Sequence, residues 1–287
     1  MEMAAESVPT RRPAVLIAGV IALVTLAVGA LVAIGDSAGM SLPAAAPFSL
    51  TAAAEGTISA RTVEFDLAVT TGTYGSVSVS GAVDNETKVA SISTNLADLA
   101  GLGELSAVGD AGDIDVLLDG AAGVMYLDAG ALGGLLPSET PWLSVDLTAL
   151  AAHEGMPLED MQDEWFVDPT DSARLLLDAD NVVEIGPETI DGVDTVHSQV
   201  TVDVADALAA SPQAGSALGD AMIDVPDTVV YDVWVTADNQ LRRAGFELTV
   251  AGETVTVVLD MTTSDEPLVA ELPSASDVFD ITGFLTW

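Results

Sequence analysis

From Val63 onward the chain alternates. Val63, Phe65, Leu67 and Val69 are apolar, Thr62, Glu64, Asp66 and small Ala68 lie between them, and Val77-Ser78-Val79-Ser80 repeats the pattern after a break at Gly72–Gly75. Side chains of a strand point to opposite faces in turn, so this period predicts strands with one face on a core, beginning near Ala52. Further strands are predicted at Lys88–Thr94, Ile114–Leu118, Val124–Asp128, Trp142–Asp146, Val182–Ile185, Thr195–Val204, Val229–Thr236, Leu241–Val250 and Thr254–Thr262. Asp84-Asn85, Asp119-Gly120, Asp191-Gly192, Asp238-Asn239 and Ala251-Gly252 fall between them and supply turn chemistry. Helical spacing is scarce. Asp168-Pro169-Thr170-Asp171 caps a helix over Ser172–Asp178, Val204–Ala210 and Gln213–Met222 form a second patch broken by Pro212, and Leu147–His153 is a third. Many consecutive strands with a few inserted helices predict an α+β, mainly antiparallel β fold: a large sheet curved over helices packed on one face. No internal repeat is visible. Residues 52–282 therefore read as one domain, with 283–287 as a C-terminal tail.

Ahead of the strands the pattern is different. Pro13 to Gly35 (PAVLIAGVIALVTLAVGALVAIG) contains no charged residue and as a helix would reach about 34 Å, enough to cross a bilayer core of roughly 30 Å. Arg11 and Arg12 lie before it and Asp36 after it, which predicts a cytoplasmic N-terminus (1–12), a transmembrane signal anchor (13–35) and export of everything beyond. The alternative is a signal peptide cleaved near Pro43-Ala44-Ala45-Ala46, but a signal's apolar region is usually about 7–15 residues and this one is longer. Residues 36–51 are small and punctuated by proline without periodicity, and read as a tether.

Charge sharpens the division. The 287 residues carry 45 Asp and Glu against 7 Lys and Arg, a formal net charge of −38, with 49% hydrophobic residues. Disordered acidic chains lack that apolar fraction, so the composition calls for a folded domain. The whole excess lies beyond residue 35, where the only bases are Arg61, Lys88, Arg174, Arg242 and Arg243. A nucleic-acid partner is excluded, since a phosphate backbone needs clustered basic side chains. There is no cysteine, which removes disulfides, thiolate metal sites, thiol catalysis and a lipidated Cys anchor.

Several segments recur in an order that is similar to a known family. Val124-Met125-Tyr126-Leu127 is followed by Pro141-Trp142-Leu143-Ser144-Val145-Asp146, then by Asp168-Pro169 before a Leu-rich helix. Val183-Glu184 and Gly186 come next, with Glu188-Thr189-Ile190-Asp191-Gly192-Val193-Asp194-Thr195, and Val225-Pro226 leads to Val233-Trp234-Val235-Thr236-Ala237-Asp238-Asn239-Gln240-Leu241-Arg242-Arg243. Together they resemble the LppX/LprG family of actinobacterial cell-envelope lipoproteins, of LolA-like fold, over about Phe48 to Ile281. The resemblance implies an antiparallel half-barrel with helices over its concave side, enclosing an apolar cavity for lipid or lipidated glycolipid acyl chains. It implies no catalytic residue. The family's lipobox cysteine is missing, so residues 13–35 would take the place of the acyl anchor.

Candidate chemistry is sparse. Gly35-Asp36-Ser37-Ala38-Gly39 fits the G-x-S-x-G pattern of a hydrolase nucleophile, but it follows an apolar helix and has no oxyanion-hole segment to serve it. His153 and His197 are the only histidines and read as surface or strand-edge residues. Asp110, Asp113, Asp115 and Asp119, or Asp178, Asp180 and Glu184, offer oxygen ligands for calcium but lack the spacing of an EF-hand loop, and a solvated acidic face is the preferred reading. No cofactor is expected, and the chain is expected not to be an enzyme. The remaining candidate site is apolar: Phe65, Leu67, Val69, Val77, Val79, Ile92, Val116, Leu118, Met125 and Leu127 from strands, faced by Leu175, Leu176, Leu208 and Met222 from helices. Such residues also fill the core of any β-domain. Two functions follow: a membrane-anchored carrier that shields acyl chains, or an envelope interaction module with a filled core.

Overall fold

The computed structural model describes residues 47–72, 75–95, 113–128, 140–155, 181–204, 226–250 and 253–285. The first element is a helix, α1 (Leu50–Ser59). Ser49 caps it by accepting from the Ala52 N–H at 3.3 Å, and its own N–H donates to Asn239 Oδ1 at 2.7 Å. This corrects the expectation of a tether through residue 51 and a strand pattern from Ala52. The run Leu50-Thr51-Ala52-Ala53-Ala54 favours helix, and the methyl-sized Ala53 and Ala54, both fully buried, let it lie close on the sheet.

Six strands then run as a meander: β1 (Thr62–Thr71), β2 (Gly75–Asp84), β3 (Val89–Asn95), β4 (Asp113–Asp119), β5 (Val124–Asp128) and β6 (Trp142–Asp146). Helix α2 (Leu147–Glu154) follows directly, with Asp146 accepting from Ala149 N–H at 3.0 Å and Gly155 closing the last turn at φ 73°. A second antiparallel run comprises β7 (Val182–Ile190), β8 (Val193–Asp203), β9 (Thr228–Thr236), β10 (Leu241–Val250) and β11 (Glu253–Ser264). Asp191 and Gly192 both take positive φ, the conformation a two-residue turn between twisted strands requires. Strand β7 is longer than the predicted Val182–Ile185, because Ile185 bulges between Glu184 and Gly186 and pairing resumes at Gly186-Pro187.

The two runs join in one open, curved sheet of order β12-β6-β5-β4-β3-β2-β1-β11-β10-β9-β8-β7. Its seam is β1 against β11, with Phe65 opposite Met261 and Leu67 opposite Leu259. Residues 265–277 form a strap from β11 to β12 (Val278–Asp280), which pairs parallel to β6, and α3 (Thr282–Leu285) ends the described chain. Neither β12 nor α3 is evident in the alternation, and α3 straddles the expected boundary at residue 283.

Strand register separates two faces. The inner face carries Val63, Phe65, Leu67 and Val69 of β1 with the apolar sets of β8–β11, and α1 packs on it in one core cluster. Helix α2 packs on the same face through Leu147, Leu150 and Ala151 against Ala90, Leu118 and Val145. The strap lies on the outer face, over Ser80, Ala82, Ser91, Ser93 and Leu117, where a crevice of about 370 Å³ remains. Among the described residues no helix is long and apolar enough to cross a membrane. The expected anchor at 13–35 and the helices at Ser172–Asp178 and Gln213–Met222 lie outside the described residues, as does Val204–Ala210 apart from Val204 itself.

Candidate functional site

The ten strand residues singled out from the sequence all fall on the inner face. Cross-strand pairing sets them in rows. One row runs Val63, Val83, Ala90, Leu118, Met125, Val145 from β1 to β6, and the next runs Phe65, Gly81, Ile92, Val116, Leu127, Leu143. A third begins Leu67, Val79, Thr94, Ile114, and a fourth pairs Val69 with Val77. Residues that alternate along a strand share a face only if every register is kept, so these rows make one largely apolar surface across six strands.

Burial along the surface is graded. Phe65, Leu67, Val69, Val77 and Leu118 are buried, whereas Val79, Ile92, Val116, Met125 and Leu127 are only half-buried. Helix α1 accounts for part of the difference, since its Ala53 and Ala54 join the buried cluster built by β1 and β8–β11. Helix α2 covers the Ala90–Leu118–Val145 row. The half-open patch lies beside it, around Val79, Ile92, Val116 and Leu127. Its floor at Gly81 has no side chain, and the Phe65 ring occupies that space: a Cβ on Gly81 would sit 2.8 Å from Phe65 Cζ. At the closed end Tyr231 and Phe246 pack with ring centroids 4.9 Å apart, and burial pushes the Tyr231 hydroxyl well above its ordinary pKa.

Leu175, Leu176, Leu208 and Met222, expected to face the sheet from helices, lie outside the described residues. The outer-face crevice touches none of the ten described candidates. Leu143, Val145 and Ile114 belong to the same inner surface and were open to the same alternation argument, because each lies inside a predicted strand. Tyr231 and Phe246 were legible as strand residues, but not as partners of one another across β9 and β10.

Polar groups gather on the outer face. Asp84 is fully buried and accepts from the backbone N–H of Glu86 (2.9 Å), Thr87 (2.8 Å) and Leu268 (3.1 Å) and from Arg61 Nε (3.2 Å). Burial alone would raise its pKa, but the N–H groups of Thr87 and Leu268 and the Arg61 guanidinium outweigh it and hold the carboxyl at about 2, below the ordinary 3.8. The sequence marked Asp84 only as a turn residue. In the fold it ties the strap to β2.

His197 stacks on Trp234 with ring centroids 4.4 Å apart. Its Nε2 meets Asp232 Oδ1 at 2.7 Å and its Nδ1 lies 3.5 Å from Glu188 Oε2, so both ring nitrogens face carboxylates and neither is left to serve a nucleophile. Arg243 grips Asp260 with two bonds of 2.6 and 2.8 Å, and Arg242 reaches Asp191 at 3.2 Å. His153 is exposed in the last turn of α2. Among the described residues no group of three His, Asp or Glu side chains is placed to hold a metal ion. Asp113 instead accepts from Asn95 and Asp119 from the Ala122 N–H of its own turn. Asp110, Asp178, Asp180 and the Gly35–Gly39 motif lie outside the described residues.

The fold is thus one open, curved, mainly antiparallel sheet with helices on one face and an apolar surface beneath them. The crystal structure of LprF from Mycobacterium bovis is similar to it at TM-score 0.50 and 15% sequence identity, covering 80% of this chain and all of that one. Lipoprotein LppX from Mycobacterium tuberculosis superposes at TM-score 0.44 and 14% identity, over 77% of this chain and 98% of its own. No family model matches the sequence, and no curated protein is similar to it in sequence. The likeness to LprF establishes the fold.

Proposed function

We propose that this chain is a non-catalytic lipid-binding or carrier protein of the cell envelope, which shields the acyl chains of a lipid or lipidated glycolipid against the inner face of its sheet. The observation that carries the reading is the apolar surface that runs from β1 to β6, packed on one side by α1 and half-buried around Val79, Ile92, Val116 and Leu127. Affinity on such a surface needs no reacting group. Each methylene removed from water contributes about 0.8 kcal/mol, so a chain of a dozen carbons supplies ample driving force. The LprF-like fold and the sequence resemblance to the LppX/LprG family favour the same reading. Residues 13–35 act as a single-pass anchor that leaves the acidic domain on the extracytoplasmic side, in place of an acylated cysteine. Release to an acceptor requires a second state of lower affinity, reached by opening or tightening the helical cover.

Native mass spectrometry of the protein purified from its own host tests the reading. Co-purifying lipid, and displacement of that lipid by a fluorescent fatty-acyl probe, are expected. A lipid-free spectrum with no probe uptake overturns the carrier in favour of an interaction module. Sequencing the N-terminus of the membrane fraction tests the anchor, since a start near Pro47 would mean cleavage.

A further inference from the structure

The two ends of the sheet are built differently. At one end β12 is three residues long and is itself a short strip beside β6. At the other, β7 is nine residues long and is the terminal strand among the described residues. Thr201 N–H donates to Asn181 O, which makes Asn181 and Thr201 a hydrogen-bonded pair of the ladder. In an antiparallel ladder such pairs alternate with pairs whose backbone groups point away, so the N–H and C=O of Val182 and Glu184 face outward from the sheet. Around them Val182, Val183 and Ile185 are exposed by 46%, 59% and 54%. Natural edges of this kind are normally blunted by a lysine, a proline or a covering element. Here Pro187 and the bulge protect only the far half, and among the described residues no element covers Val182–Glu184.

Charge selects the occupant. The edge and its hairpin carry Glu184, Glu188, Asp191 and Asp194, and no Lys or Arg occurs in 181–203 or 226–236. Among the described residues, Arg242 and Arg243 on β10 are already paired with Asp191 and Asp260. A second copy would bring the same acids against these and add another charge of −38. We propose that the Val182–Glu184 edge takes up an extended basic segment of a partner protein as an added strand, with alternating apolar and Lys or Arg side chains. Backbone bonds to Val182 and Glu184 supply register, the exposed valines and isoleucine supply contact, and the acids select a cationic partner. The site lies at the rim of the sheet, so it does not depend on what the inner face binds.

The test uses the full-length chain in zwitterionic detergent and a fluorescein-labelled peptide of alternating lysine and valine, seven residues long, read by anisotropy. Binding is expected to weaken with salt and to fall at least tenfold for a peptide with a central proline. Glu184→Pro removes the outward N–H at a position where proline leaves the β8 ladder intact, and Glu184→Gln removes the same charge alone. The proline variant should lose at least tenfold and the glutamine variant no more than about threefold. Val183→Ser with Ile185→Ser should also weaken binding, whereas Val269→Ser, on the strap and 87% exposed, should not. Equal binding of the proline-interrupted peptide to the wild-type chain overturns the proposal without any variant. So does a salt-stable dimer of the free chain that Glu184→Pro dissociates, because the edge would then belong to a second copy.

Discussion

Replacing Asp84 by asparagine keeps the side chain's shape and removes its charge. The carboxylate serves four donors, two on each oxygen: Glu86 and Thr87 N–H on Oδ1, Leu268 N–H and Arg61 Nε on Oδ2. An asparagine must turn its NH₂ toward one of these pairs, and two charge-assisted bonds of about 1.5 kcal/mol or more are lost, or about 3 kcal/mol. Proton linkage leads to a similar figure. Holding the carboxyl at about 2 rather than 3.8 corresponds to roughly 2.5 kcal/mol, at about 1.36 kcal/mol for each tenfold change in proton affinity. Because the folded value is the lower one, this stability is present above pH 3.8 and is lost as pH falls through about 2. Both proteins share relief of their charge repulsion in acid, so the difference between them isolates Asp84. Urea unfolding followed by far-UV circular dichroism should show Asp84→Asn less stable by about 3 kcal/mol at pH 7, with the gap shrinking by about 1.5 kcal/mol by pH 2.5. Exchange of the Leu268 amide should accelerate alongside it. A gap under about 1 kcal/mol at pH 7, or one that does not narrow in acid, refutes Asp84 as the tie between strap and sheet.

Gly81→Ala places a Cβ 2.6 Å from the Ser91 carbonyl oxygen as well as against Phe65, and a backbone oxygen in a ladder cannot turn aside. A loss of about 2–3 kcal/mol by urea unfolding is expected, only partly recovered by Phe65→Leu. Arg243→Met leaves Asp260 opposite Asp66 on β1 without its cation. Thermal unfolding should report about 1–2 kcal/mol of destabilisation, largely restored by adding Asp260→Asn. Ile92→Glu or Val116→Glu on the half-open patch should weaken fatty-acyl probe binding at least tenfold in a fluorescence titration, whereas Val269→Glu on the strap should leave it unchanged.

The strands were legible because their alternation is enforced residue by residue: a polar group at Leu67 or Val257 would have to enter the core. Helix α1 escaped because its buried side is marked by the size of Ala53 and Ala54, not by a periodic change in polarity. Strand β12 escaped for a different reason, since three residues show no period and its partner β6 lies over 130 residues earlier. The same distance problem hid Asp84, whose strap partner Leu268 is 184 residues away. For the candidate surface, the sequence sorted inward from outward positions on each strand. It could not order the strands, so the rows that unite Phe65 with Val116 and Leu127 emerged only from the register.

The seam between β1 and β11 and the strap that carries β12 to β6 together make the chain its own clasp. Each half of the sheet is a local meander, yet the C-terminal stretch grips the N-terminal half twice, along its first strand and again along its last. A single cut between β6 and β7 would sever the backbone without freeing either piece. The two sides of one cut beyond β6 are therefore expected to stay joined through their strands, with covalent continuity contributing proximity and the strand pairing contributing recognition.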